Sequence, residues 1–210
     1  MIICCYTEIS HQWSEQELVD KLLLLPEELR QEALRKRQWI DRQLSVAGKL
    51  LLLRLLKELK SQLSLSDLKY NDYLRPYFDA GIDFNIAHSG NIVVCCGTVE
   101  GQAGIDIEEV KEIDLTDYTD YFTPNEWRHI NSYPNQYDGF YDFWTRKEAA
   151  LKAIGTGFHT PLSSVDVSGK SLSYDDQTFF FQSLNLSENY KCHLAATVHP
   201  ANVELIRVNL

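Results

Sequence analysis

The sequence predicts an α+β fold of two similar halves, antiparallel sheets packed with helices. Three observations carry this. Runs with apolar residues three and four apart, which suit helices, stand beside short apolar runs bounded by Gly, Pro and Asn, which suit strands. Residues 1–103 and residues 104–210 each hold helices and a set of strands, which suggests a pseudo-twofold pair, although no clear repeat links the two halves. The chain has 210 residues, 44% hydrophobic and 24% charged. That is enough for one large domain or two small ones with a core that needs no staples.

Residues 2–9 read as the first strand. Ser14 and Glu17 form a capping-box pattern ahead of Leu18, Leu22 and Leu25, so a helix is expected over 13–25. Pro26 opens a second helix running to about Trp39, with Glu27 and Glu28 in its first turn. Residues 41–60 form a leucine-rich helix apolar around much of its circumference, hence buried on several sides. Tyr73-Leu-Arg-Pro-Tyr77 is an extended turn. Residues 84–91 break at Ser89-Gly-Asn91, and residues 92–110 read as a β-hairpin turning at Glu100-Gly-Gln102. Short helices are expected over 114–121 and 123–132, the second capped by Thr123 with Pro124 at its first position. After a loop over 133–139 comes a helix with apolar residues at Phe140, Phe143, Ala150, Leu151 and Ile154, ended by Gly155 and Gly157. Strands at 165–167, 172–174, 178–182, 191–198 and 203–208 complete an antiparallel sheet.

The net charge of −10 argues against nucleic acid as a partner. Between residues 30 and 60, nine basic residues face three acidic ones, a local +6 that leaves −16 on the remainder. Such polarity suits an anionic ligand or an acidic protein partner. No apolar run reaches membrane-spanning length. Met1-Ile-Ile-Cys-Cys-Tyr6 lacks the basic start of a signal peptide, so a cytoplasmic protein is expected. The five cysteines show no C-x-x-C spacing and are read as small buried side chains in a reducing compartment.

Two stretches carry the chemistry. In Gly104-Ile-Asp-Ile-Glu108 the strand period puts Asp106 and Glu108 on one face, with about 7 Å between their Cα atoms, a pair suited to a hard dication such as Mg²⁺. In Phe143-Trp-Thr-Arg-Lys-Glu-Ala-Ala-Leu-Lys152 a lysine, Lys147, interrupts the apolar stripe and demands a phosphate, a carboxylate partner, or both. Glu148 and Lys152 are neighbours on one helix face, and Glu148 is a third carboxylate for the ion. His88-Ser-Gly90 sits at a strand break, where side chains and backbone N–H groups suit phosphate.

The blocks Asn85-Ile-Ala-His-Ser89, Gly104-Ile-Asp-Ile-Glu108 and Trp144-Thr-Arg-Lys-Glu-Ala-Ala-Leu-Lys152, in this order, resemble the 4′-phosphopantetheinyl transferases of the surfactin-synthetase type. The resemblance implies a fold of two α/β halves with a coenzyme A cleft between them. It implies transfer of the phosphopantetheine arm of coenzyme A, the co-substrate, to a serine of an apo acyl or peptidyl carrier protein, releasing adenosine 3′,5′-bisphosphate. By that resemblance Asp106, Glu108 and Glu148 hold Mg²⁺, with Mn²⁺ as a substitute. Glu148, or a water on the ion, takes the serine proton. His88 and Ser89 grip the 3′-phosphate with Arg42 and Arg75, Arg75-Pro76 lies against the adenine, and Lys147 and Lys152 neutralise the diphosphate. It further implies a monomer that acts on no membrane, with carrier docking around Tyr118–Tyr137 and the 30–60 segment. Leu74 stands where a glycine is usual, Ala87 where serine is commoner, and Leu44 where an arginine is often found. Two other readings use the same residues: a Mg²⁺-dependent phosphate-ester hydrolase, and a non-catalytic coenzyme-binding module of the same fold.

Overall fold

The computed structural model describes residues 1–79, 81–155, 160–199 and 203–210. Its strands are β1 (Ile2–Glu8), β2 (Lys69–Tyr70), β3 (Pro76–Tyr77), β4 (Asp83–Ser89), β5 (Ile92–Thr98), β6 (Ala103–Glu109), β7 (Ser171–Tyr174), β8 (Gln177–Ser183), β9 (Tyr190–Ala196) and β10 (Val203–Arg207). Its helices are α1 (Glu15–Leu22), α2 (Glu27–Leu34), α3 (Trp39–Glu58), α4 (Pro124–Ile130) and α5 (Gln136–Ile154). One sheet has the order β10-β1-β5-β4 and the other β6-β9-β8-β7, while β2 and β3 form a small separate ladder.

The period of two assigns the core. Ile2, Cys4, Val94 and Cys96 of the first sheet pack against Ile105, Ile107, Cys192 and Leu194 of the second, giving a dry layer between the sheets. Alternate residues Ile3, Cys5, Val93 and Cys95 face outward onto α3, whose Val46, Leu51, Leu52 and Leu55 are fully buried. On the far side α5 lays Phe140, Ala149, Ala150 and Ala153 over the second sheet, reaching Phe179 and Ala195. Each sheet thus carries one long helix on its outer face, which is the mixed helix-and-sheet fold in two similar halves expected from the sequence. The five cysteines are free and buried.

Two features bring the halves into register at the site. Gly104 lets α5 lie directly on β6, because a Cβ there would stand 2.2 Å from the Ala149 carbonyl oxygen. The facing edges of β4 and β6 are joined by side chains. Asp83 Oδ2 accepts from the Ala103 N–H (2.8 Å), Asn85 Oδ1 from Ile105 (3.2 Å) and Ser89 Oγ from Glu109 (3.1 Å).

Several expectations need correction. Residues 92–110 are not a hairpin: β5 pairs with β4 through the two-residue turn Gly90-Asn91, where Gly90 has φ +55°, and β6 belongs to the other sheet. The 103/104 boundary falls one residue inside β6, and β10 crosses back to pair parallel with β1. Helix α5 begins at Gln136, with Asn135 as its cap. Gly139 is therefore helical, and it permits close approach to α4, since a Cβ would meet the Ile130 carbonyl at 2.7 Å. Helix α2 ends at Leu34 rather than near Trp39. Residues 165–167 are not a strand. Gly155 ends α5 at φ +80° as expected, while Gly157 lies outside the described residues.

Candidate functional site

Three cavities run along the seam between the halves and share walls. One of about 560 Å³ is lined by His88, Asp106, Glu108, Tyr118, Tyr121, Trp144, Glu148, Lys152 and Leu162. A second, about 240 Å³, continues from Glu148 and Lys152 to Asn85, Leu151, Gly155 and the loop Tyr73-Leu-Arg-Pro76. The third, about 350 Å³, lies beyond Pro76, Asn85 and His88 and brings in Lys36, Ser45 and Lys49. Glu148 with Lys152, Pro76 with Asn85, and His88 are thus the joints of one cleft.

The acidic strand and the helix meet as the spacing requires. Asp106 Oδ1 accepts from Lys152 Nζ at 2.6 Å, so Lys152 pairs across to β6 rather than along the helix with Glu148. Asp106 Oδ2 is buried with no hydrogen-bond partner. Burial pushes the Asp106 carboxyl up to about 7 against the pull of Lys152, with Glu108 and Glu148 adding to the rise. Burial also raises Glu148, opposed by Lys152 and assisted by Glu108. For Lys152, burial works against the ammonium, but Asp106, Glu148 and Glu108 outweigh it and raise its pKa. The site therefore holds three mutually repelling carboxylates and one half-buried ammonium.

A hard dication fits this donor set: three carboxylates on one cavity wall, one with an orphaned buried oxygen. Among the described residues, however, no three acidic, His or Cys side chains stand together as a ready-made ligand cluster. Two of the three have a local donor instead: Lys152 for Asp106, and Ser89 Oγ for Glu108 Oε2 at 2.6 Å.

The other candidate residues divide. His88 lies on the wall common to two cavities, and burial lowers its pKa, reinforced by Lys152 and opposed by Asp41 and Glu108. Arg75 and Pro76 line the cleft, with Arg75 fixed by Asp83 at 2.7 Å. Ser89 differs from expectation: its hydroxyl donates to Glu108 and accepts from the Glu109 N–H, so it positions a carboxylate and is not free for phosphate. Arg42 is not in the cleft wall either. Its guanidinium donates to the Lys36 carbonyl at 3.1 Å and so holds the α2–α3 connection that presents Lys36.

Lys147 is the clearest correction. It is fully buried in the second half, with Nζ 2.8 Å from Glu126 Oε1 and donating to the carbonyls of Leu162 (3.0 Å) and Val165. Burial lowers its pKa against the pull of Glu126. Of the partners its place in the stripe demanded, the structure supplies the carboxylate, and Lys147 lines none of the three cavities of the cleft. Sequence reasoning missed Glu126 and the cleft positions of Lys36, Ser45 and Lys49, and it did not place Tyr118, Tyr121 and Trp144 together on one wall. Lys36 and Lys49 had a signal in the basic 30–60 segment, and Tyr118 and Tyr121 in the expected docking stretch.

Three acidic side chains at the centre of a cleft, with cationic groups beside them, are a donor set that a dication and a phosphate-bearing ligand would fit. Comparison with known proteins gives the family. The family model of the 4′-phosphopantetheinyl transferase superfamily matches residues 102–203. The 4′-phosphopantetheinyl transferase gsp of Aneurinibacillus migulanus is 40% identical over 96 residues, 45% of this chain and 40% of that one. A 4′-phosphopantetheinyl transferase of Bacillus subtilis is 34% identical over 141 residues, 61% and 62% of the two chains. The 4′-phosphopantetheinyl transferase ffp of Bacillus subtilis is 31% identical over 160 residues, 72% of this chain and 70% of that one. The chain belongs to the 4′-phosphopantetheinyl transferase superfamily. Its matches span less than two thirds of the first two of these relatives.

Proposed function

We propose that the chain transfers the 4′-phosphopantetheine arm of coenzyme A to a serine of an apo acyl or peptidyl carrier protein and releases adenosine 3′,5′-bisphosphate. The observation that carries this reading is the single cavity wall shared by His88, Asp106, Glu108, Glu148 and Lys152, continuous with a cavity that holds Lys36 and Lys49 beside Glu32 and Asp41 on one side and an apolar one on the other. In the reaction the serine oxygen bonds to the phosphorus that bears the pantetheine, and the bridging P–O bond breaks. The bisphosphate leaves with the bridging oxygen, and the serine proton passes to Glu148. Burial raises the pKa of that carboxylate, the direction that makes it a stronger proton acceptor.

Asp106, Glu108 and Glu148 would hold Mg²⁺, or Mn²⁺ in its place, which when bound supplies positive charge for the diphosphate. Lys152 adds its own charge beside Asp106. His88 with Lys36 and Lys49 would take the 3′-phosphate, and Arg75-Pro76 would bound the adenine. Tyr118, Tyr121 and Trp144 form the apolar side of the central cavity, from which the carrier serine would enter. Transfer from a diphosphate asks mainly for charge neutralisation and in-line placement, and these groups provide both. The free, buried thiols suit a reducing compartment, and we place the protein in the cytoplasm as a monomer.

Incubation with coenzyme A, Mg²⁺ and an apo carrier protein, followed by intact-mass measurement, tests the reading. One phosphopantetheine gained per carrier is expected. Consumption of coenzyme A without carrier labelling would make it a Mg²⁺-dependent hydrolase, and no turnover would leave a coenzyme-binding module.

A further inference from the structure

The loop at the mouth of the apolar cavity holds a residue that is out of place twice over. Leu74 has φ +59°, the left-handed region that a branched side chain avoids, and at 79% it is the most exposed large apolar side chain among the described residues. The conformation is imposed. Asn71 Oδ1 accepts from the N–H groups of Tyr73 (3.0 Å) and Arg75 (2.9 Å), the Asn71 N–H donates to the Arg75 carbonyl (3.1 Å), and the Leu74 N–H donates to the Asn71 carbonyl (2.9 Å). Downstream, Arg75 is anchored to Asp83 at 2.7 Å and lies over Gly155, where a Cβ would come within 2.5 Å of its Nη1. A turn tied this closely has no slack to relieve the leucine. Strain held in place by its surroundings and set at a cleft marks function more often than accident.

The cavity beneath shows what the leucine can do. Its apolar surface comes from Tyr73, Leu74, Pro76 and Leu151, and of its charged groups Glu148 and Lys152 are shared with the acidic cavity while Arg75 is held in the turn by Asp83. A flat heteroaromatic ring suits such a slot. On the reading of function proposed above, that ring is the adenine of coenzyme A.

We infer that Leu74 is a nucleobase-positioning residue, held in a strained turn so that its side chain closes over the adenine of the bound coenzyme. The apolar area it buries appears only when the ligand is present, so its removal weakens nucleotide binding without weakening the fold.

The test uses the full chain, with adenosine 3′,5′-bisphosphate and coenzyme A as ligands in calorimetry. Leu74→Gly and Leu74→Asn, both at ease in the left-handed region, are expected to melt at or up to about 2 °C above the parent. Both are expected to bind each ligand about tenfold more weakly, the scale of one leucine's apolar contact, and KM for coenzyme A rises by the same factor. Leu74→Met, which keeps an apolar cover, retains affinity within about twofold, which a merely structural role would not explain. Unchanged binding in Leu74→Gly, or equal loss in Leu74→Met, would overturn the inference while leaving the transferase reading intact. Failure of the parent protein to bind either ligand would instead remove the reading of function, and this inference with it.

Discussion

Lys147 Nζ stands 2.8 Å from Glu126 Oε1, and neither side chain has any exposed surface. Glu126 is also tied to the Thr123 N–H (2.7 Å) and the Val167 N–H (2.9 Å), so one carboxylate joins the start of α4, the middle of α5 and the 165–167 segment. Removing one partner of a buried pair strands the other charge. Glu126→Gln is therefore expected to cost about 3–5 kcal/mol and lower Tm by ~10 °C, with Glu126→Gln/Lys147→Met recovering most of the loss. Urea denaturation of the parent and the two variants checks this, and a loss below about 1 kcal/mol in the single variant would count against it.

The same pair shows where a one-dimensional reading stops. The stripe of α5 was legible, and so was the demand that an intruding lysine meet an anion. Choosing between a ligand phosphate and a distant glutamate required knowing that α4 packs against α5. That Asp106, Glu108, Glu148 and Lys152 would line one cavity was legible because strand and helix periods place each on a definite face. Ser89 and Arg42 were misread for the opposite reason. Both act through short-range bonds, to Glu108 and to the Lys36 carbonyl, that residue type alone does not announce. The 92–110 hairpin failed because a glycine turn joins strands of different sheets as readily as strands of one; only the pairing of β6 with β9 settles it.

His193 is buried beside Thr145, with Nδ1 2.8 Å from Thr145 Oγ1 and Nε2 3.6 Å from Asp142 Oδ1. Burial lowers its pKa from 6.5 to about 4, with Asp142 opposing and Arg146 and Lys191 reinforcing the fall. The unfolded chain therefore binds the extra proton across that window. The stabilisation is complete above about pH 6.5 and is lost progressively as the pH falls toward 4, amounting to about 3 kcal/mol. The difference in unfolding free energy between the parent and His193→Gln, followed from pH 7 to pH 4, should narrow by that order; a constant difference would contradict the sign.

Asp83, Asn85 and Ser89 each accept a backbone N–H from the edge of β6 at alternate positions, and Ala87 is the member of the series with no acceptor. The strand period turns the Ile107 N–H toward it. Ala87→Ser is expected to add one such bond and raise stability by about 1 kcal/mol. Denaturant midpoints at constant m-value would show it, and destabilisation would mean that the hydroxyl finds no partner there.

The most direct test of the central claim measures adenosine 3′,5′-bisphosphate release from coenzyme A, with Mg²⁺ and an apo carrier, by Asp106→Asn, Glu108→Gln and Glu148→Gln beside the parent. Each variant is expected to fold and to turn over at least ~10²-fold more slowly, because each removes charge from one shared centre. Parent-like turnover in the three variants would contradict a common catalytic site at the junction of β6 and α5.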